Sequence, residues 1–416
     1  MLKASFHSKI HYYSALLIAF CLPLGKVNGF VAFCLPFILL MCFNWIVEAD
    51  FYSKFKTILN NKLSLLFITF YVLHIIGLLY TQNTSSGLFE IQVKLSLLIF
   101  PLLLTNKPFS DEQVKNIFIA LIAGAFLSSI TLLSHALYLL ITTNENHFFY
   151  QSFCSILIHP SYLSMYMNVA IAWLLINLTQ NKLSDKRLPN ILGSFITLFF
   201  SYIIILLSSK SGIIALILIY SIYFFYNIFY LKKYIISLVS ITVLVTSSVF
   251  IYKSAPEVSS RINELILTVN NKNEKNQSTE STYTRLLIWK ATVPVITNNF
   301  IFGVGTGDVR NELIKEYAKN KMTYAFDNGL NAHNEYLQVF ISLGFSGVLI
   351  LLANLLFPLY FAIKSADYIY IAFILIIILN FLPESMLEAQ AGTIFYGFFN
   401  SVLCFSKPIL KQRIIT

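Results

Sequence analysis

Charge is what this 416-residue sequence has least of: 12% of its residues are Asp, Glu, Lys or Arg, roughly half the share of an average soluble domain. That scarcity excludes water as the main solvent. Cysteine is sparse too. The five residues Cys21, Cys34, Cys42, Cys154 and Cys404 are odd in number, lie mostly inside apolar runs and form no C-x-x-C pair for zinc or redox chemistry, so they read as packing residues. Acids are outnumbered by bases, 19 against 29, for a net charge of +10. On a chain this apolar, an excess of cations points to nucleic acid only after the bases have been sorted by side of a bilayer.

What the sequence does have is hydrophobicity: 57% of residues are apolar and the mean hydropathy is +0.72. The apolar residues come in runs of roughly 17 to 25 between short polar breaks, the length of membrane spans, and not at the period of a half-buried helix or strand. About twelve spans are expected, at 12–24, 30–47, 63–80, 91–104, 114–141, 161–178, 191–207, 213–231, 234–252, 335–363, 368–382 and 393–405. The fold class expected is therefore an all-α integral membrane protein. The first run follows Lys3 and Lys9 as a signal peptide would, but no small-residue cleavage site follows and a second run begins at Phe30, so it is expected to be retained.

One set of alternate connections carries Lys54, Lys56 and Lys62, then Lys107 and Lys115, then Lys182, Lys186 and Arg187, then Lys232 and Lys233, then Lys364; the ends add Lys3, Lys9, Lys407, Lys411 and Arg413. The intervening short loops 81–89, 142–160 and 383–392 contain no Lys or Arg. The positive-inside rule then makes both termini cytoplasmic and explains the net charge without nucleic acid. Three regions follow: helices one to nine over 1–252, one extracytoplasmic loop over 253–332, and helices ten to twelve over 333–416. Within the loop, 270–281 is rich in Asn, Lys, Glu, Ser and Thr and reads as mobile, whereas 283–296 and 311–321 read as short helices flanking a glycine turn.

Candidate chemistry concentrates at this outer face. In Thr284-Arg-Leu-Leu-Ile-Trp-Lys-Ala291, Arg285 and Trp289 share a helix face at i and i+4. The guanidinium there can grip a phosphate; equally, the helix can lie on headgroups with Trp289 as an interfacial anchor. The turn Phe302-Gly-Val-Gly-Thr-Gly-Asp308 has the glycine spacing of a phosphate cradle. It lacks the Gly-Lys-Ser/Thr of a P-loop and any βαβ context, so Gly303, Gly305 and Gly307 read as a tight structural turn. His333-Asn334 stands where the loop enters the tenth helix, with Gly344 and Gly347 about three turns deeper, small enough for close helix contact. A histidine facing a pocket there can take a proton from a sugar hydroxyl, or simply start the helix. Lys210, in Leu207-Ser-Ser-Lys-Ser-Gly212, is a cation kept in an outer turn against the positive-inside rule, and hence a functional candidate. Lys94 has Glu90 at i−4, which suggests a structural ion pair. His159, before Pro160, can line the same cavity or only begin its helix.

Arg285-x-x-x-Trp289-x-Ala291, the Gly303-Val-Gly-Thr-Gly307 turn and His333-Asn334-x9-Gly344-x-x-Gly347 together resemble the O-antigen ligase family, in motif order, in placement around one long loop and in span count. The resemblance is specific from about Arg285 to Gly347 and only hydropathic elsewhere. It implies a GT-C-type helical glycosyltransferase of the bacterial inner membrane. Such an enzyme moves a glycan from undecaprenyl diphosphate to a lipid A-core sugar at the periplasmic face, with no metal, nucleotide or other cofactor. It further implies that Arg285 binds the donor diphosphate and that His333 activates the acceptor hydroxyl or positions the leaving group; Trp289, Asn334, His159 and Lys210 would contact substrate. Lys210 stands where the family usually has arginine, and so offers a point charge in place of a bidentate fork. The outer loops present no carboxylate pair or histidine cluster at metal-ligand spacing, the nearest acids being Asp308, Asp327, Glu335, Glu384 and Glu388, which leaves cations to stabilise the leaving diphosphate.

A polymerase using the same lipid donor with a second lipid-linked glycan as acceptor fits these features too. An O-linked protein glycosyltransferase would carry soluble sequence after the last span, where only Ser406 to Thr416 follow. A transporter would want interrupted helices in two matching halves and charges at mid-membrane, whereas the candidate residues crowd at one surface.

Overall fold

The computed structural model describes residues 2–25, 33–180, 187–229 and 282–406, with positions 231, 232, 234, 238 and 242. Its elements are all helical: α1 (Leu2–Cys21), α2 (Leu35–Val47), α3 (Phe51–Leu59), α4 (Lys62–Leu78), α5 (Thr84–Lys94), α6 (Ser96–Asn106), α7 (Asp111–Thr143), α8 (Tyr150–Phe153), α9 (Pro160–Thr179), α10 (Arg187–Leu207), α11 (Lys210–Phe229), α12 (Thr282–Asn298), α13 (Val309–Lys319), α14 (Thr323–Asp327), α15 (Glu335–Lys364), α16 (Tyr368–Asn380) and α17 (Gln390–Phe405).

Among the described residues six helical stretches are long and apolar enough to cross a membrane: Thr84–Asn106 (α5 running into α6), Asp111–Thr143, Pro160–Thr179, Leu188–Leu207, Lys210–Phe229 and Glu335–Lys364. The pair α2 and α3, bent by 112°, makes a seventh if it is one broken span, and α4 and α16 are shorter apolar helices. The bend falls at Ala49 and Asp50, both at positive φ. There Glu48 is held by Lys54 at 3.3 Å and by Lys107, so the polar break that ends one apolar run is consumed in ion pairs. The expected span at 234–252 and the polar stretch 270–281 lie almost entirely outside the described residues.

The chain divides into two compact units. The first comprises residues 1–18, 27–117 and 271–416. In it α6 packs along α17 and α4 along α15. Small and aromatic groups make the fit: Thr393 donates to the Val93 carbonyl at 2.8 Å, and Phe100 meets Phe398 edge to face. The short helices expected at 283–296 and 311–321 are present as α12 and α13. With α14 they close a core of their own, in which Ile288, Val295, Leu313, Tyr317 and Met322 pack under Ala332 and Ile341. Each fully buried aliphatic or aromatic side chain there contributes about 1.5–3 kcal/mol, which gives this polar-faced segment a fixed shape. Burial pushes the Tyr317 phenol well above its ordinary range, and its hydroxyl donates to the Leu330 carbonyl at 3.1 Å.

The second unit comprises residues 19–26 and 118–270. Here α9 is the inner helix: 78% of its spanning window is buried, against 39% for α10 and 33% for α11, which pack on it. Trp173 of α9 stacks on Phe118, and α10 and α11 expose Ile191, Phe195, Ile217 and Phe225 outward, the surface a lipid phase would cover.

Candidate functional site

The two residues read as one face of α12 reach a single polar cluster. Arg285 donates from Nη1 to the Pro383 carbonyl at 3.0 Å and from Nη2 to Glu384 Oε1 at 2.8 Å. One turn on, the Trp289 indole N–H donates to the His333 carbonyl at 3.4 Å.

His333 completes the cluster from the other side. Its Nδ1 lies 3.3 Å from Glu384 Oε2, so one carboxylate bridges the guanidinium and the imidazole. The side chains of Arg285, Glu384 and His333 are 15%, 15% and 12% exposed, a shielding that makes these bonds stronger than surface pairs. A carboxylate can only accept, so Nδ1 is the donor of this pair, and Nε2 is the nitrogen left over. Nε2 is buried with no hydrogen-bond partner among the described residues. His333 itself is held at φ 44°, in the left-handed region, a conformation that costs about 1–3 kcal/mol and persists where surroundings impose it. They do so here: its N–H donates to Asn331 Oδ1. Asn334 caps α15 by accepting from Leu337 N, while its own N–H donates to Ser385 Oγ. Glu335 N donates to the Phe381 carbonyl, and Glu335 Oε2 accepts from Leu387 N. The segment 333–335 is thereby stitched to 381–387, and that seam brings Glu384 to His333.

The glycine turn supports this arrangement from below. Gly344 has φ 66° and ψ −158°, a combination essentially reserved for glycine, and it opens the ladder of α15. The freed backbone pairs with the turn: Val304 N donates to Ile341 O, Gly305 N to Ser342 O, and Phe345 N to Phe300 O. A Cβ on Gly303 would come within 2.5 Å of Ser342 backbone, and one on Gly344 within 2.4 Å of Ile301 backbone. Sequence reasoning expected small residues to allow helix contact; at Gly344 the need is instead for backbone that can leave the helix and pair with a loop. On the turn's far side Asp308 accepts from Gln82 N and Asn83 N at 2.7 and 2.8 Å, clamping the start of α5. Gly347, one turn past the break, faces its own helix's Leu343 and Val339.

Between α5, α13 and the 329–333 segment lies a cavity of about 600 Å³, lined among others by Ser85, Glu90, Arg310, Asn331, His333 and Glu388. Behind Glu90 and Glu388 is Lys94, 1% exposed, which donates to both carboxylates at 2.5 and 2.8 Å. The ion pair expected between Lys94 and Glu90 is thus one half of a bridge that also fixes Glu388, 294 residues away.

His159 and Lys210 belong to the second unit. His159 caps α9, its Nδ1 accepting from Ser161 N at 3.3 Å, and Lys210 opens α11. The two helix starts meet: Ser209 Oγ donates to Ser161 Oγ at 3.5 Å, and Asn168 donates to the Gly212 carbonyl at 2.9 Å. A Cβ on Gly212 would lie 2.4 Å from Ser164 Oγ, so the glycine after Lys210 permits this contact.

Two residues of the first unit had no role in the sequence reading. Glu384 was visible only as one acid in a loop without Lys or Arg, and Arg310 stood just ahead of the helix expected at 311–321. A carboxylate in an outer loop that lacks cations of its own is the one signal that could have marked Glu384 as paired with a distant base.

Residues 195–352 match the family model described as O-Antigen ligase, a stretch that includes Lys210, Arg285, the glycine turn, His333, Gly344 and Gly347. It is also 27% identical over 257 residues to an uncharacterized protein of Haemophilus influenzae, a match covering 57% of this chain and 62% of that relative's length.

Proposed function

We propose that this protein is a glycosyltransferase that moves a glycan from undecaprenyl diphosphate to a lipid A-core sugar at the periplasmic face of the inner membrane. The observation that carries this is the Arg285–Glu384–His333 bridge beside the cavity that His333 lines, with Arg285 and His333 inside the segment 195–352 that matches the O-Antigen ligase family model. The acceptor hydroxyl oxygen attacks the anomeric carbon of the donor sugar and its proton passes to His333 Nε2. The bond from that carbon to the diphosphate oxygen breaks, and its electron pair leaves with the lipid diphosphate. Arg285 stabilises the charge that develops there, so no metal ion is invoked; carried over from the resemblance alone, Lys210 would contact substrate as well. Glu384 keeps Nδ1 protonated, which leaves Nε2 as the base; Trp289 and Asn331 hold the His333 backbone in its left-handed turn, and Trp289 and Asn334 would contact substrate. His159 would contact the glycan.

The accompanying topology is a GT-C-type arrangement of about twelve spans with both termini cytoplasmic: helices over 1–252, the site-bearing loop over 253–332 and the closing helices over 333–416. A polymerase joining two lipid-linked glycans would use the same groups. Analysis of the glycans in a deletion strain separates the two: long polymer left on undecaprenyl diphosphate supports ligation, and single repeat units on the core support polymerisation. In complementation of that strain, His333→Ala and Arg285→Ala are expected to insert normally and to abolish capped lipopolysaccharide. Normal capping by both variants would reject catalysis at this loop.

A further inference from the structure

The cavity beside His333 holds a cation that the chemistry above does not use. Arg310, in the first turn of α13, is exposed into that space, and among the described residues it has no ion pair or hydrogen bond. Its position is nonetheless built. Gly329, at φ +54°, lies directly under the guanidinium, where a Cβ would come within 2.4 Å of Nη2 and 2.7 Å of Nε; any other residue would push the group out of its seat. The opposite wall is acidic. Glu90 and Glu388 line it, both drawn back onto Lys94, with the hydroxyls of Ser85 and Ser86 beside them. Phe89, 51% exposed, adds an apolar platform.

We infer that this cavity receives the acceptor sugar and that Arg310 reads an anionic substituent, a phosphate or carboxylate, on it. A volume of about 600 Å³ is in the range of small-ligand sites. The lining is complementary to an acidic sugar: carboxylates and hydroxyls accept from ring hydroxyls, Phe89 meets the ring's apolar face, and one unpaired guanidinium offers a planar fork to an anion. The inference rests on the proposed function, because His333, the base for the acceptor hydroxyl, lines the same space and the acceptor ring must therefore occupy it. The donor diphosphate is the other possible source of an anion, and the two differ in which substrate's recognition depends on Arg310.

The test uses the full chain in lipid nanodiscs, a polyprenyl diphosphate-linked glycan as donor, and two acceptors: a phosphorylated lipid A-core and the same core dephosphorylated. Failure of the unaltered protein to transfer to either acceptor would reject the proposed function before Arg310 is in question. If it transfers, kcat/KM is expected to favour the phosphorylated acceptor by about tenfold or more, and in Arg310→Gln that ratio should fall to near one. Gly329→Ala, which keeps the charge but displaces the guanidinium, should lower the same ratio. A ratio in Arg310→Gln equal to that of the unaltered protein, or an unaltered protein indifferent to the phosphate, overturns the inference. So does a rise in donor KM with the acceptor ratio preserved, which would assign Arg310 to the diphosphate.

Discussion

Replacing Glu384 with glutamine isolates the bridge on which the proposed chemistry depends. Glutamine keeps the volume, and its amide oxygen can still accept from His333 Nδ1–H, but it is neutral and loses the ionic bond that Glu384 Oε1 makes to Arg285 at 2.8 Å. A hydrogen bond to a charged group is worth about 1.5–3 kcal/mol, and the 15% exposure of both side chains places this one away from the screened limit. If that free energy is spent holding Arg285 and His333 for the transition state, kcat falls roughly 10- to 150-fold. Glu384→Ala, which also frees the imidazole to turn, should fall further, toward the roughly 10²- to 10⁴-fold attributed to a positioned general base. The assay is transfer from a lipid-linked donor by purified protein, with thermal unfolding in detergent run alongside to exclude collapse of the fold. Because the three residues act as a unit, adding Glu384→Gln to His333→Ala should cost little more than His333→Ala alone. Wild-type turnover by a folded Glu384→Gln protein would show that the bridge is structural and would refute its catalytic role.

Two further outcomes are expected. Gly344→Ala forces a Cβ to within 2.4 Å of the Ile301 backbone at φ 66°; it should destabilise the protein by about 3 kcal/mol or more, read as a large drop in thermal midpoint, and an unchanged midpoint would refute the need for glycine there. Lys210→Arg is expected to retain transfer, since it keeps the positive charge and adds a planar fork of donors, and Lys210→Ala to lose most of it; an active Lys210→Ala protein would remove that residue from the site.

The membrane class and the approximate extents of the long apolar helices Asp111–Thr143, Pro160–Thr179, Leu188–Leu207, Lys210–Phe229 and Glu335–Lys364 were legible in the sequence, because span length and hydropathy are local properties set by bilayer thickness. So were the two loop helices, whose apolar period appears within a dozen residues, and the pairing of Lys94 with Glu90, one turn away on the same helix. The mark of Gly344 was visible, but its purpose was not: a glycine in an apolar run fits close packing as well as it fits a break, and only the pairing of residues 300–305 with the opened backbone at 341–345 distinguishes them.

The sequence alone therefore determined which solvent the chain lives in and which residue types stand near the ends of its helices. Tertiary structure decided which of those ends meet: Glu384 lies 99 residues from Arg285 and 51 from His333, and Glu388 lies 294 from Lys94. No periodicity encodes such pairings. They arise because a charge withdrawn from water must find an opposite charge or a backbone dipole wherever packing places one, and that place is a property of the assembled helices.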